Sequence, residues 1–196
     1  MSFRIEEKLL INFSQIFNFK KWLSQNGYTK LYPDRKINRL YFDNLNNQMF
    51  LDSEEGIIPR KKIRIRNYPD YKNQKFFFEK KISSIEGRYK QNKAIKIDEF
   101  ENLKKFGYFD DTYKSCHPKL FVKYTREYFD MKICRLTIDT NISYSEYNNL
   151  NHNKSDPYVA VEIKANFNSS LDQLMKKFPF QRVRFSKYCR GFGLLF

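Results

Sequence analysis

The chain has 196 residues, of which 37 are Lys or Arg and 22 are Asp or Glu, giving a formal charge of +15 at pH 7. That length suits one domain over residues 1–196, and a composition 41% hydrophobic and 18% aromatic excludes a disordered chain. No apolar run approaches the ~18–20 residues of a membrane span, and the segment from Met1 to Lys8 is charged where a signal peptide needs an apolar stretch, so a soluble, cytoplasmic protein is expected.

A first strand is predicted over 3–11, where Arg4, Glu6 and Lys8 are separated by single residues. Ser14 can cap a helix to about Gln25, with Ile16, Phe17, Phe19, Trp22 and Leu23 as its apolar stripe and Gly27 as its stop. Strands follow over 37–44, 60–68, 75–83 and 87–97, then a helix over 99–107 built on Phe100, Leu103 and Phe106. Two more strands fall at 119–129 and 132–142, the Asn-rich stretch 145–156 reads as a surface loop, and another strand spans 157–165. A third helix is expected from Ser170 through Leu171, Leu174, Met175 and Phe178 to Pro179, and a final strand near 182–189.

The charges keep the strand period. Lys62, Arg64 and Arg66 are separated by single residues, as are Glu79 and Lys81, Arg88 and Lys90, Tyr124 and Arg126, Arg135, Thr137 and Asp139, and Glu162 and Lys164. Each set projects from one strand face while apolar neighbours project from the other. A sandwich would turn these faces to water; a barrel would line a lumen with them and cover its apolar outside with helices. Such a lumen, rich in Arg and Lys and poor in Glu, repels itself when empty and calls for an anionic guest. The three cysteines (Cys116, Cys134, Cys189) form no CxxC pair and read as core or incidental thiols. His117 and His152 read as structural or solvated.

The succession Arg4-x-Glu6-x-Lys8, Leu40-Tyr41-Phe42-Asp43, Lys62-Ile63-Arg64-Ile65-Arg66-x-Tyr68, Phe77-x-Glu79-x-Lys81, Tyr124-x-Arg126, Arg135-x-Thr137-x-Asp139, Val161-Glu162-Ile163-Lys164 and Phe185-Ser186-Lys187-Tyr188-Cys189 resembles the VTC domain, the polyphosphate polymerase branch of the triphosphate tunnel metalloenzymes. The resemblance implies a mainly β (α+β) fold, a closed antiparallel eight-stranded β-barrel tunnel with a few flanking helices. It implies an enzyme that transfers the γ-phosphoryl of ATP to a polyphosphate chain with a divalent metal, Mn²⁺ or Mg²⁺. Carried over position by position, it implies phosphate contacts from Lys8, Arg64, Arg66, Lys90, Tyr124, Arg135, Arg184 and Ser186, and catalytic roles for Lys81, Arg126 and Lys187. Glu162 corresponds to the metal-binding carboxylate, with Glu6 and Glu79 as helpers to the metal or orienters of neighbouring basic side chains.

Phosphoryl transfer suits such a set, because it relies on positioning and on charge stabilisation more than on covalent work by the protein. The hydrolase branch typically opens with ExExK, whereas this chain has Arg4 at the first Glu position, which favours holding a polyanion over activating water. Partners are then ATP and inorganic polyphosphate or triphosphate, with a separate membrane-protein partner as an option; duplex DNA cannot thread a small barrel, and no nucleic acid is expected. A tripolyphosphate or nucleoside triphosphate hydrolase and a non-catalytic polyphosphate-binding module remain the alternatives. The remaining motifs have plainer readings: Phe76-Phe77-Phe78 as core and helix-packing surface, Arg60 and Lys61 as a solvated turn, Lys104 and Lys105 as a solvated helix face, Asp43 as a turn cap or metal helper, and Tyr188 and Cys189 as packing residues.

Overall fold

The computed structural model describes residues 4–72, 74–132, 134–166 and 181–196. The helix expected from Ser170 lies outside the described residues, as does the side chain of Arg4. Ten strands are present among the described residues: β1 (Arg4–Asn12), β2 (Thr29–Asp43), β3 (Arg60–Asn67), β4 (Phe76–Ser84), β5 (Gly87–Ile95), β6 (Tyr108–Asp110), β7 (Lys114–Asp130), β8 (Cys134–Glu146), β9 (Asn153–Ser155) and β10 (Tyr158–Asn166). Four helices accompany them among the described residues: α1 (Ile16–Gln25), α2 (Gln48–Glu55), α3 (Ile97–Phe106) and α4 (Lys187–Leu195). None is long and apolar enough to cross a membrane.

The strands pair in the order β1-β10-β8-β7-β2-β3-β4-β5, with β6 on β7 and β9 on β8. Among the described residues no ladder joins β5 to β1, so the sheet is mainly antiparallel but is not closed by hydrogen bonds as the barrel reading expects. The free edge of β1 is instead met by the segment after residue 181: Val183 donates its backbone N–H to Lys8, and Arg182 bridges Leu9.

Two compact units share the long strands. The first comprises Met1–Arg35, Tyr124–Ile142 and Ser155–Phe185. Its core alternates along the strands: Leu9 and Ile11 of β1, Leu136 and Ile138 of β8, and Val159, Val161, Ile163 and Ala165 of β10 bury together with Phe19 and Leu23 of α1. A short 3-10 turn (Phe13–Gln15) precedes α1, so the helix starts one residue later than a Ser14 cap would place it. Phe17 was expected in the apolar stripe but is 74% exposed, because it lies across the helix from Phe19 and Leu23.

The second unit comprises Lys36–Lys123, Ser143–Lys154 and Ser186–Phe196. Leu40, Phe42, Ile63 and Ile65 bury one face of β2 and β3, and Phe76 stacks on Phe100 of α3 at 4.3 Å. Helix α2, absent from the sequence reading, exists because Asp43 caps it: this buried carboxylate accepts backbone N–H bonds from Met49 and Phe50, and from Asn44. Tyr188 of α4 donates its hydroxyl to Asp43 as well, at 2.5 Å. The expected strand over 182–189 does not form: its first half makes a single bridge, from Arg182 to Leu9, and its second half is helical. Ser186 caps a helix there by accepting from the Cys189 N–H, and Tyr188, Cys189, Phe192 and Leu195 recur at helical spacing along its buried side. Lys61 is not a solvated turn residue either; its ammonium lies 2.8 Å from Asp110. All three cysteines are buried and free.

Candidate active site

In the second unit, β3 and β4 set Arg64 directly opposite Glu79 and Lys62 opposite Lys81, and β4 and β5 set Lys81 opposite Lys90. Glu79 has no exposed surface. Its Oε2 lies 2.7 Å from Arg64 Nε, and its Oε1 lies 3.2 Å from Arg66 Nη2 and 2.6 Å from Lys90 Nζ. Burial opposes ionisation of this carboxyl, but the charges of Arg64, Arg66 and Lys90 outweigh it and hold it down at about 2. One carboxylate thus orients three cations. Arg66 also stacks over Tyr68 and Phe77, at 5.1 and 5.0 Å.

Lys62 extends the same face. Its Nζ donates to Ser186 Oγ at 2.8 Å and lies 3.5 Å from Cys189 Sγ, and burial lowers its pKa. Lys81 and Lys187 are half-buried, Lys187 as the first residue of α4. Lys62 is a member of this cluster that the residue-by-residue carry-over left out, although its spacing from Arg64 and Arg66 marks it.

In the first unit, β1 and β10 place Lys8 opposite Glu162, and Glu6 opposite Lys164. Lys8 Nζ donates to the Phe185 carbonyl at 2.6 Å. Arg126 is bidentate on Asp139, at 2.5 and 2.7 Å, and its Nη2 lies 3.5 Å from Glu162. Lys164 Nζ lies 3.1 Å from Glu162 and 3.7 Å from Glu6. Burial again opposes ionisation of Glu162, yet the side-chain contact with Glu6 and the charges of Lys164, Arg126 and Lys8 hold it well below the usual carboxylate range. Tyr124 is buried on β7 two residues before Arg126, while Arg135 on β8 and Arg184 are exposed. Asp139 and Lys164 stand in the quoted motifs but were given no role there; the structure makes them the partners that fix Arg126 and Glu162.

The two carboxylates differ in what they can hold. Glu79 is enclosed by three cations and has the surroundings of a counter-ion. Glu162 with Glu6 offers carboxylate oxygens of the hard type that Mg²⁺ and Mn²⁺ prefer. No group of three or more His, Cys, Asp or Glu suited to a metal occurs among the described residues. A divalent ion on Glu162 and Glu6 would therefore need water or phosphate oxygens to complete its shell, which is the usual habit of Mg²⁺.

Solved structures share this fold across nearly the whole chain. They include a candidate adenylate cyclase from Bacillus halodurans (16% identity, TM-score 0.64, 94% of each chain covered). A protein from Pyrococcus horikoshii matches at 13% identity and TM-score 0.59, covering 96% of each chain. A candidate adenylyl cyclase from Hippeastrum, described as having a dominant triphosphatase activity, matches at 16% identity and TM-score 0.59, covering 97% of this chain and 96% of that one. At these identities the likeness shows a shared fold. A family model for the VTC domain matches residues 3–196, and the chain belongs to that family. No curated protein matches it.

Proposed function

We propose that the chain is an enzyme of phosphoanhydride chemistry, a polyphosphate polymerase-like phosphotransferase that passes the γ-phosphoryl group of ATP to a polyphosphate chain, with residues 1–196 working as one catalytic domain. The observation that supports it is the cation-rich strand face of a VTC-family chain, in which Arg64, Arg66 and Lys90 share the single buried carboxylate of Glu79. A cluster held this way is pre-oriented for a polyanion, so little side-chain entropy is lost when phosphate arrives.

In this reading Arg64, Arg66, Lys90, Lys8, Tyr124, Arg135, Arg184 and Ser186 hold phosphate oxygens, and Lys81, Arg126 and Lys187 stabilise charge on the transferring group. Asp139 fixes the Arg126 guanidinium in its plane, and Glu79 does the same for Arg64 and Arg66. Glu162 and Glu6 would hold the divalent metal, which when bound would neutralise charge on phosphate oxygens. Triphosphate hydrolysis is the second reading, favoured by the likeness to the Hippeastrum protein. Pure protein incubated with ATP and Mn²⁺ or Mg²⁺, its products resolved on a polyphosphate gel, separates them: a growing ladder supports polymerase, and phosphate release without a ladder supports hydrolase.

Tripolyphosphate is expected to raise the melting temperature strongly, since a ligand bound only by the folded state stabilises it by ~2.7 kcal/mol at a hundredfold excess over Kd. No shift at millimolar concentration, or an equal shift from sulfate, would defeat the phosphate-chain assignment. Arg64→Ala and Arg66→Ala are each expected to weaken tripolyphosphate binding by roughly 1.5–3 kcal/mol, the range for hydrogen bonds to charged groups. Lys105→Ala, at an exposed position of α3, should leave the affinity unchanged. Equal losses from Lys105 and Arg66 would mean that bulk charge does the binding.

A further inference from the structure

Ser186 and Lys62 meet where the cation-bearing face of β3 reaches the start of α4. Lys62, Arg64 and Arg66 stand at every second residue of that face, so a phosphate chain laid on the two arginines points along the strand toward Lys62. The Lys62 Nζ lies 2.8 Å from Ser186 Oγ and 3.5 Å from Cys189 Sγ. Two other groups face it: Lys81, its partner across β4, and Tyr41 of β2, whose hydroxyl lies 3.1 Å from Arg64 Nη1. Ser186 caps α4, its Oγ accepting the Cys189 N–H, and Lys187 follows as the first helical residue. Both Ser186 and Lys62 are half-buried. A hydroxyl that accepts one N–H keeps a second lone pair, and its own proton can pass to a neutral Lys62 amine across the 2.8 Å contact.

We propose that Ser186 is a phosphorylation site that the chain itself modifies: Lys62 takes the hydroxyl proton, and the γ-phosphoryl group of bound ATP passes to Ser186 Oγ. The inference rests on the reading of ATP as γ-phosphoryl donor given above. The bond from Oγ to the γ-phosphorus forms as the bond from that phosphorus to the β,γ-bridging oxygen breaks. ADP leaves, and the proton passes through Lys62 to solvent. Burial lowers the Lys62 pKa, so this amine is freer to act as a base than an exposed lysine. The product suits its surroundings, because a phosphate on the cap residue stands at the positive end of α4, beside Lys62 and Lys187. It also brings negative charge to the cations that a phosphate chain would use, so the modified chain binds polyanions less tightly and the reaction limits its own site.

In the test the protein is incubated with ATP and Mn²⁺, and the phosphate it acquires is located by mass spectrometry of its peptides. Wild type is expected to carry it on Ser186, at a rate independent of protein concentration, as transfer within one chain requires. Ser186→Thr keeps both the cap and a hydroxyl and should carry phosphate at the same position, whereas Ser186→Ala should carry none. Lys62→Arg keeps the positive charge but supplies no base, and should slow labelling at saturating ATP by about a hundredfold. Labelled wild type should bind tripolyphosphate about tenfold more weakly than unlabelled protein. Labelling of Ser186→Ala to the wild-type level, or of Lys62→Arg at the wild-type rate, would overturn the proposal. A wild type that converts ATP to polyphosphate or free phosphate with none on Ser186 overturns the proposal alone. Phosphate on Ser186 in a chain that yields neither product supports the proposal and overturns the polymerase reading instead.

Discussion

Glu79→Ala is expected to destabilise the fold by about 3 kcal/mol at neutral pH. The figure follows from the distance between an ordinary glutamate near 4.5 and the value of about 2 that Arg64, Arg66 and Lys90 impose, at 1.36 kcal/mol per pH unit. The folded-state pKa is depressed, so the contribution is fully present above about 4.5 and is lost as the pH falls toward 2. Urea denaturation of both proteins from neutral to acid pH checks it: wild type should lose more stability through that window than the variant, so that the difference between the two curves closes at the acid end. A neutral-pH difference below about 1 kcal/mol would mean that the three cations relax into solvent at little cost, as surface pairs do.

Glu162→Gln should abolish metal-dependent turnover while leaving the fold and the metal-free binding of polyphosphate intact or tighter. The amide is nearly isosteric and still offers an oxygen to Lys164 and Arg126, but one negative charge has gone from beside Lys8, Arg126 and Lys164. Were Glu162 only a counter-ion, the same change would lower stability and leave the metal dependence of turnover alone. Mn²⁺-dependent turnover, polyphosphate affinity without metal, and melting temperature, measured together, separate the two, and a well-folded variant that retains turnover removes the metal assignment.

The strands and the face on which each set of charges stands were legible because period two is a strong signal wherever one face is apolar. Ile63 and Ile65 between Lys62, Arg64 and Arg66 show both the strand and the face. The helices were less so. In α4 the glycines Gly191 and Gly193 mask a stripe of Tyr188, Cys189, Phe192 and Leu195, and the strand-like start Val183-Arg184-Phe185 carries the reading past Ser186, where the cap turns the chain. Helix α2 is polar in sequence and owes its existence to Asp43, a residue that only the fold brings to its first turn. Of the candidate site, motif spacing marked the cations. It could not show that Asp139 already grips Arg126, or that Tyr41 leans on Arg64, because both contacts cross between strands.

The lysine rung of β3, β4 and β5 also bears on how the sheet assembles. Lys62, Lys81 and Lys90 stand side by side across three strands, one rung from the attraction of Glu79. While the strands approach through water these ammonium groups repel, and dissolved ions screen that repulsion well. Once the rung is closed, Lys62 rests on Ser186 and Cys189 at a largely enclosed position where ions reach it less. Added chloride should accordingly shorten the refolding time more than it alters the unfolding time, which makes this rung a kinetic gate on the order in which the strands zip together.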